Sequence, residues 1–87
     1  PQADQEFVQQ IKQVALDMPG VMNVEKLWVR KAGLEYFADL HLQVDPKMTV
    51  DEGHQIGHRV KDLLIQKFAL LKDVLIHLEP YHLSAWA

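Results

Sequence analysis

The run LEYFADLHLQV, residues 34–44, alternates apolar and polar side chains more regularly than any other stretch of this chain. Leu34, Tyr36, Ala38, Leu40, Leu42 and Val44 fall on one side, and Glu35, Phe37, Asp39, His41 and Gln43 on the other. A period of two is that of a β-strand, whose successive side chains point to opposite faces of the sheet. A strand with one apolar face has to hide that face under another layer, so this segment commits the chain to a sheet covered on one side.

The flanking sequence indicates what does the covering. From Asp4 to Met18 the residues Phe7, Ile11, Val14, Ala15 and Met18 recur at helical spacing, and Pro19-Gly20 ends the run. After a turn at Asp45-Pro46, Thr49 and Glu52 have the spacing of a capping box and open a second helix. Its apolar stripe passes through Ile56, Val60, Leu63, Leu64 and Phe68, and the adjoining Gly53 and Gly57 let it lie close to a sheet.

Two more segments read as strands. VMNVEKLWVRKAG is rich in Val, Leu and Trp and leads into the alternating run through Lys31-Ala32-Gly33, which makes the two a hairpin. DVLIHLEP, residues 73–80, puts Val74, Ile76 and Leu78 on one face and Asp73, Leu75, His77 and Glu79 on the other. The order helix, strand, strand, helix, strand is α+β, an αββαβ ferredoxin-like or metallochaperone-like domain with a three-stranded sheet and two helices on one face. A helical crossover between the second and third strands makes those two parallel. With no internal repeat, low-complexity tract or linker, residues 1–87 read as a single domain.

Composition narrows the partners. Hydrophobic residues make up 48% of the 87, enough for one small core, and there are no cysteines, so disulfides and thiolate metal sites are excluded. The formal net charge is −3 with the cations scattered, which argues against nucleic acid as a partner. No apolar run approaches the ~20 residues that span a bilayer, and no signal-peptide pattern is present. The sequence begins at Pro1, as a piece cut from a longer protein would.

The polar strand faces carry the chemistry. His41 follows Asp39 by two residues on the outward face of the second strand, and His77 precedes Glu79 by two on that of the third. His54 lies near the start of the second helix, four residues before His58, so these two share a helical face that flanks the core. Imidazole and carboxylate together suit Zn²⁺ and neighbouring transition metals. The same residues could also be solvated without a metal, the reading that falls to His58 and His82.

PGVMNVEKLWVRKAG, YFADLHLQVDPKMTVDEGHQIGHRV and DVLIHLEP resemble, in order and spacing, the cytoplasmic C-terminal domain of the cation diffusion facilitator family, from Phe7 to Pro80. That resemblance implies a membrane antiporter exchanging divalent metal for protons, its transmembrane domain lying outside this chain. It implies a homodimeric domain on the cytoplasmic side, V-shaped, whose arms close when metal binds near the dimer interface and so promote transport. His41, His54 and His77 match the family's metal-binding histidines, Glu79 an Asp or Glu ligand, and Asp39 an acidic position that binds metal in some branches. Glu25 stands where many members have histidine, which leaves the number and identity of the metals open: zinc first, with iron, manganese or cobalt as alternatives. Trp28 and Phe37 fall near the implied interface, with partial core burial the plainer expectation for Trp28.

Three rival readings compete. An enzyme would need a nucleophile, base and orienting group in sequence, and His77 beside Glu79 on one strand face does not supply them. A purely structural dimerisation module predicts no metal effect on shape or on Trp28 and Trp86 fluorescence. A free-standing metallochaperone of this fold would be expected to carry a cysteine pair.

Overall fold

A computed structural model describes residues 4–82, so Trp86 lies outside the described residues. The elements follow the expected order: α1 (Gln5–Asp17), β1 (Asn23–Ala32), β2 (Glu35–Val44), α2 (Val50–Lys67) and β3 (Leu71–Pro80). Asp4 caps α1 by accepting from the Glu6 backbone N–H at 3.1 Å. Thr49 and Glu52 close the capping box at the head of α2, with Glu52 N–H donating to Thr49 Oγ1 at 3.0 Å and Thr49 N–H to Glu52 Oε1 at 2.8 Å.

The sheet order is β1-β2-β3, with β1 antiparallel and β3 parallel to the central β2. Both helices lie on one face, α1 over β1 and α2 over β3, and touch each other. Leu40 and Leu42 from β2, Ile11 from α1 and Val60 and Leu64 from α2 make the centre of the core and are almost fully buried. Phe7 closes one end, its ring 4.8 Å from that of Tyr36 and 5.5 Å from that of Phe68. Gly53 and Gly57 do what their position promised: a Cβ at Gly57 would sit 3.3 Å from Ile76 Cγ2, and one at Gly53 3.3 Å from Leu78 Cδ1.

Two details depart from simple alternation. Leu34, expected on the apolar face of the second strand, lies in the two-residue hairpin turn and is 82% exposed. Gly33 holds a φ of 65° at the first turn position, which suits a tight hairpin, and the chain reverses before Leu34 can join the strand. The other departure is a β-bulge in β1, where Val24 pairs with Leu42 but Lys26 with the next residue, His41, leaving Glu25 as the extra residue. Val24 faces the helices, Glu25 and Lys26 are both exposed, and Leu27 returns to the helix side. The slip of one residue moves Trp28 off the core side, where it is 55% exposed rather than partly buried.

Candidate metal centre

Among the described residues, none forms a second layer on the face of the sheet opposite the helices. On it β1 presents Lys26 and Trp28, β2 Phe37, Asp39 and His41, and β3 Asp73, Leu75, His77 and Glu79. Parallel pairing of β2 with β3 sets His41 opposite His77 and Gln43 opposite Glu79. The two imidazoles stack with centroids 4.4 Å apart and planes 15° from parallel.

Glu79 reaches diagonally across the pair to His41, placing Oε2 2.6 Å from Nδ1. With its Nδ1–H donating to that carboxylate, His41 keeps Nε2 as its lone-pair nitrogen, the arrangement by which second partners orient metal-binding histidines. Trp28 packs edge-on to His41, with ring centroids 6.4 Å apart, and limits its rotation from the β1 side. The bulge brings in a third group: Glu25, His41 and Glu79 each offer a ligand atom within 4.8 Å of the others.

The hydrogen bond with His41 holds the Glu79 carboxyl below the usual carboxylate range. Partial desolvation opposes it, while a hydrogen bond with Glu25 and the positive charge of Lys26 act in the same direction as His41. Two carboxylates and one imidazole, accessible to solvent and held by three different strands, can take a hard or borderline divalent cation.

The sequence candidates thus separate into groups. Glu25, His41 and Glu79 come together; His77 adjoins them through its stack; Asp39 shares their face, opposite Trp28 on β1 and Leu75 on β3. His54 stands on α2, in the helix layer, and its Nε2 lies 3.0 Å from that of His58. His58 is exposed as expected, yet it has a partner, and the spacing of four on a helix was the signal for that pairing.

Residues 3–81 match the family described as cation efflux protein, cytoplasmic domain. The manganese efflux system protein MneP of Bacillus subtilis (strain 168) is 27% identical over 78 residues, 90% of this chain and 26% of that protein. Metal tolerance protein 2 of Oryza sativa subsp. japonica is 32% identical over 75 residues, 86% of this chain and 19% of its own length. The cation-efflux pump FieF of Yersinia pestis (strain Pestoides F) is 35% identical over 72 residues, 83% of this chain and 24% of its own. This chain therefore spans about a quarter or less of those relatives. Two solved structures of variant MamM CTD, one a nickel form and one a manganese form, each superpose with a TM-score of 0.84 at 29% identity, over 90% of this chain and 100% of theirs.

Proposed function

This chain belongs to the cation diffusion facilitator family as its cytoplasmic domain, and from that premise we propose that it is the metal-sensing dimerisation part of a divalent cation/proton antiporter. The observation that carries the reading is the convergence of Glu25, His41 and Glu79 within 4.8 Å of one another on a sheet face that no other described element covers. On that face Trp28 is 55% and Leu75 56% exposed, an apolar surface of the kind a second copy covers.

Glu25, His41 and Glu79 form the binding set, with His77 and Asp39 beside it; His54, in the helix layer, belongs to a different group. In the absence of metal, the acidic groups of two opposed faces repel each other and hold the arms of the dimer apart. A bound divalent cation would offset that charge and add ligand bonds available only in the closed dimer, favouring closure by its differential affinity for the two states. Imidazole ligates only when neutral, so acid weakens binding.

Zinc fits the donor set. One imidazole with two carboxylates also suits harder ions, and the relatives include a manganese efflux protein and the nickel and manganese forms of MamM CTD. A structural module without metal has one observation in its favour, because the His41–Glu79 pair already satisfies one nitrogen and one oxygen of the set.

Calorimetric titration of Zn²⁺ and Mn²⁺ into the wild type, His41→Ala and Glu79→Gln, with small-angle scattering on the same samples, separates the readings. The expected result is binding and contraction in the wild type, with both weakened in the variants. Equal binding by all three would overturn the site, and binding without contraction would overturn the closure.

A further inference from the structure

The bulge in β1 sets two charges of opposite sign against one imidazole. A regular ladder would oppose a single residue to His41, but here Lys26 pairs with it and Glu25 is the extra residue alongside, both of them exposed. Directly opposed residues of an antiparallel pair have their Cβ atoms about 4.5–5.5 Å apart, so the Lys26 side chain leaves the sheet beside the group formed by Glu25, His41 and Glu79. Its Nζ lies 5.9 Å from the centre of the Trp28 ring, which packs edge-on to His41.

The other cations of β1 are engaged nearer the hairpin turn. Arg30 lies over Phe37 at 5.7 Å and Lys31 over Tyr36 at 6.0 Å, four and five residues along the strand from Lys26. The Glu79 carboxyl is held below its usual range first by the hydrogen bond with His41, and the positive charge of Lys26 acts in the same direction across the group. Glu25 and Glu79 bring two negative charges, and Lys26 offsets one of them. A divalent cation that enters has to settle beside an ammonium group of like charge.

We propose that Lys26 is a tethered counter-cation of the sheet-face group: its ammonium offsets the Glu25 and Glu79 carboxylates in the metal-free protein and, by like-charge repulsion, lowers the affinity with which a divalent cation binds there. This rests on the reading of Glu25, His41 and Glu79 as a metal-binding set, and it adds the residue that sets the threshold of that set. A sensor has to stay unloaded until its ion is in excess, and a built-in competitor raises the concentration at which loading begins. An ammonium and a divalent cation about 6 Å apart in a water-like dielectric repel enough to weaken binding roughly tenfold at low ionic strength. In about 1 M salt the Debye length falls to about 3 Å and the effect is screened out.

The test is calorimetric titration of Mn²⁺ into this whole chain as the wild type, Lys26→Gln, Lys26→Arg and Glu79→Gln, at ionic strengths of about 0.01 M and about 1 M. Thermal melts of the same proteins without metal, and of Lys26→Gln/Glu79→Gln, accompany it. At low salt Lys26→Gln should bind Mn²⁺ roughly 3- to 10-fold more tightly than the wild type, and Lys26→Arg, which keeps the charge, should match the wild type. The gain should vanish at high salt. Without metal the sign reverses: Lys26→Gln should melt below the wild type at low salt, and the same substitution should cost less in the Glu79→Gln background. A side chain that only supported the strand would not destabilise the metal-free protein and tighten Mn²⁺ binding together. If Lys26→Gln binds no more tightly than the wild type at low salt while Glu79→Gln loses affinity, the counter-cation is overturned and the site stands. A gain undiminished in about 1 M salt would also overturn it. Equal Mn²⁺ binding by the wild type and Glu79→Gln would remove the site itself, and the role of Lys26 with it.

Discussion

Replacing Glu79 with glutamine tests the sheet-face site through stability, with and without metal. The substitution keeps the size of the side chain and removes its charge, so the 2.6 Å contact with His41 Nδ1 loses its ionic character. A hydrogen bond to a charged group contributes about 1.5–3 kcal/mol when buried. The two side chains are 21% and 29% exposed, so solvent screening reduces that to roughly 1 kcal/mol. For a domain of this size the metal-free variant should therefore melt roughly 4–8 °C below the wild type.

Metal should widen the gap. At a free Mn²⁺ concentration a hundred times Kd, an ion that binds only the folded state stabilises it by about 2.7 kcal/mol, or roughly 11–22 °C. If loss of the carboxylate weakens binding by about 10- to 100-fold, the same Mn²⁺ stabilises the variant by only about 0.4–1.4 kcal/mol, or roughly 2–11 °C. Mn²⁺ is the ion to use, because it prefers oxygen ligands and so reports on the carboxylates of the set. Thermal melts followed by circular dichroism at one protein concentration give all four values. An equal Mn²⁺-induced rise in the wild type and the variant would refute the assignment of Glu79.

The remaining predictions concern packing and pH. Leu40→Ala, at a fully buried position on the central strand, should cost about 2.7–5 kcal/mol in urea unfolding, and a loss below 1 kcal/mol would mean that the core is not centred there. Gly57→Val should destabilise by about 1–3 kcal/mol, since even a Cβ would lie 3.3 Å from Ile76 Cγ2; an unchanged urea midpoint would show that α2 can move away from β3 at no cost. Because His41 holds the folded-state pKa of Glu79 below its ordinary value of 4.5, the pair stabilises the fold above that value and the benefit is lost as pH falls through the lowered pKa. Wild-type and Glu79→Gln melting temperatures should accordingly converge in acid, and a gap that stays constant there would rule out this linkage.

The parts of the fold that were readable in advance rest on strong local signals. The alternation through Ala38, Leu40 and Leu42, the Thr49–Glu52 box and the Pro19-Gly20 break each leave few alternatives to the chain, and the helical crossover made β3 parallel to β2. The site was readable only in part. His41, His77 and Glu79 could be assigned to the outward face by counting residues in twos, and the strand pairing brought them together. Glu25 depended on a one-residue slip that nothing in VEKLWV announces, because Leu27 and Trp28 are equally plausible on the apolar side. His54 matched the same family pattern as His41 and His77, but position in a helix says which neighbours share its turn, not which side of a sheet it serves. The start of β3 at Leu71 rather than Asp73 follows from a second irregularity, where Tyr36 pairs with Leu71 and Phe37 with Asp73.

The surplus residue between Val24 and Leu27 also makes the electrostatics of this surface switchable by a single codon. Loss of Lys26 would restore an unbroken ladder with Glu25 facing His41, whereas loss of Glu25 would leave Lys26 there and put an ammonium group where the carboxylate stood. Either deletion keeps Val24 and Leu27 under the helices, so the interior would not register the change. Descendants of such a sequence could exchange a carboxylate for an ammonium group at this spot while keeping their architecture.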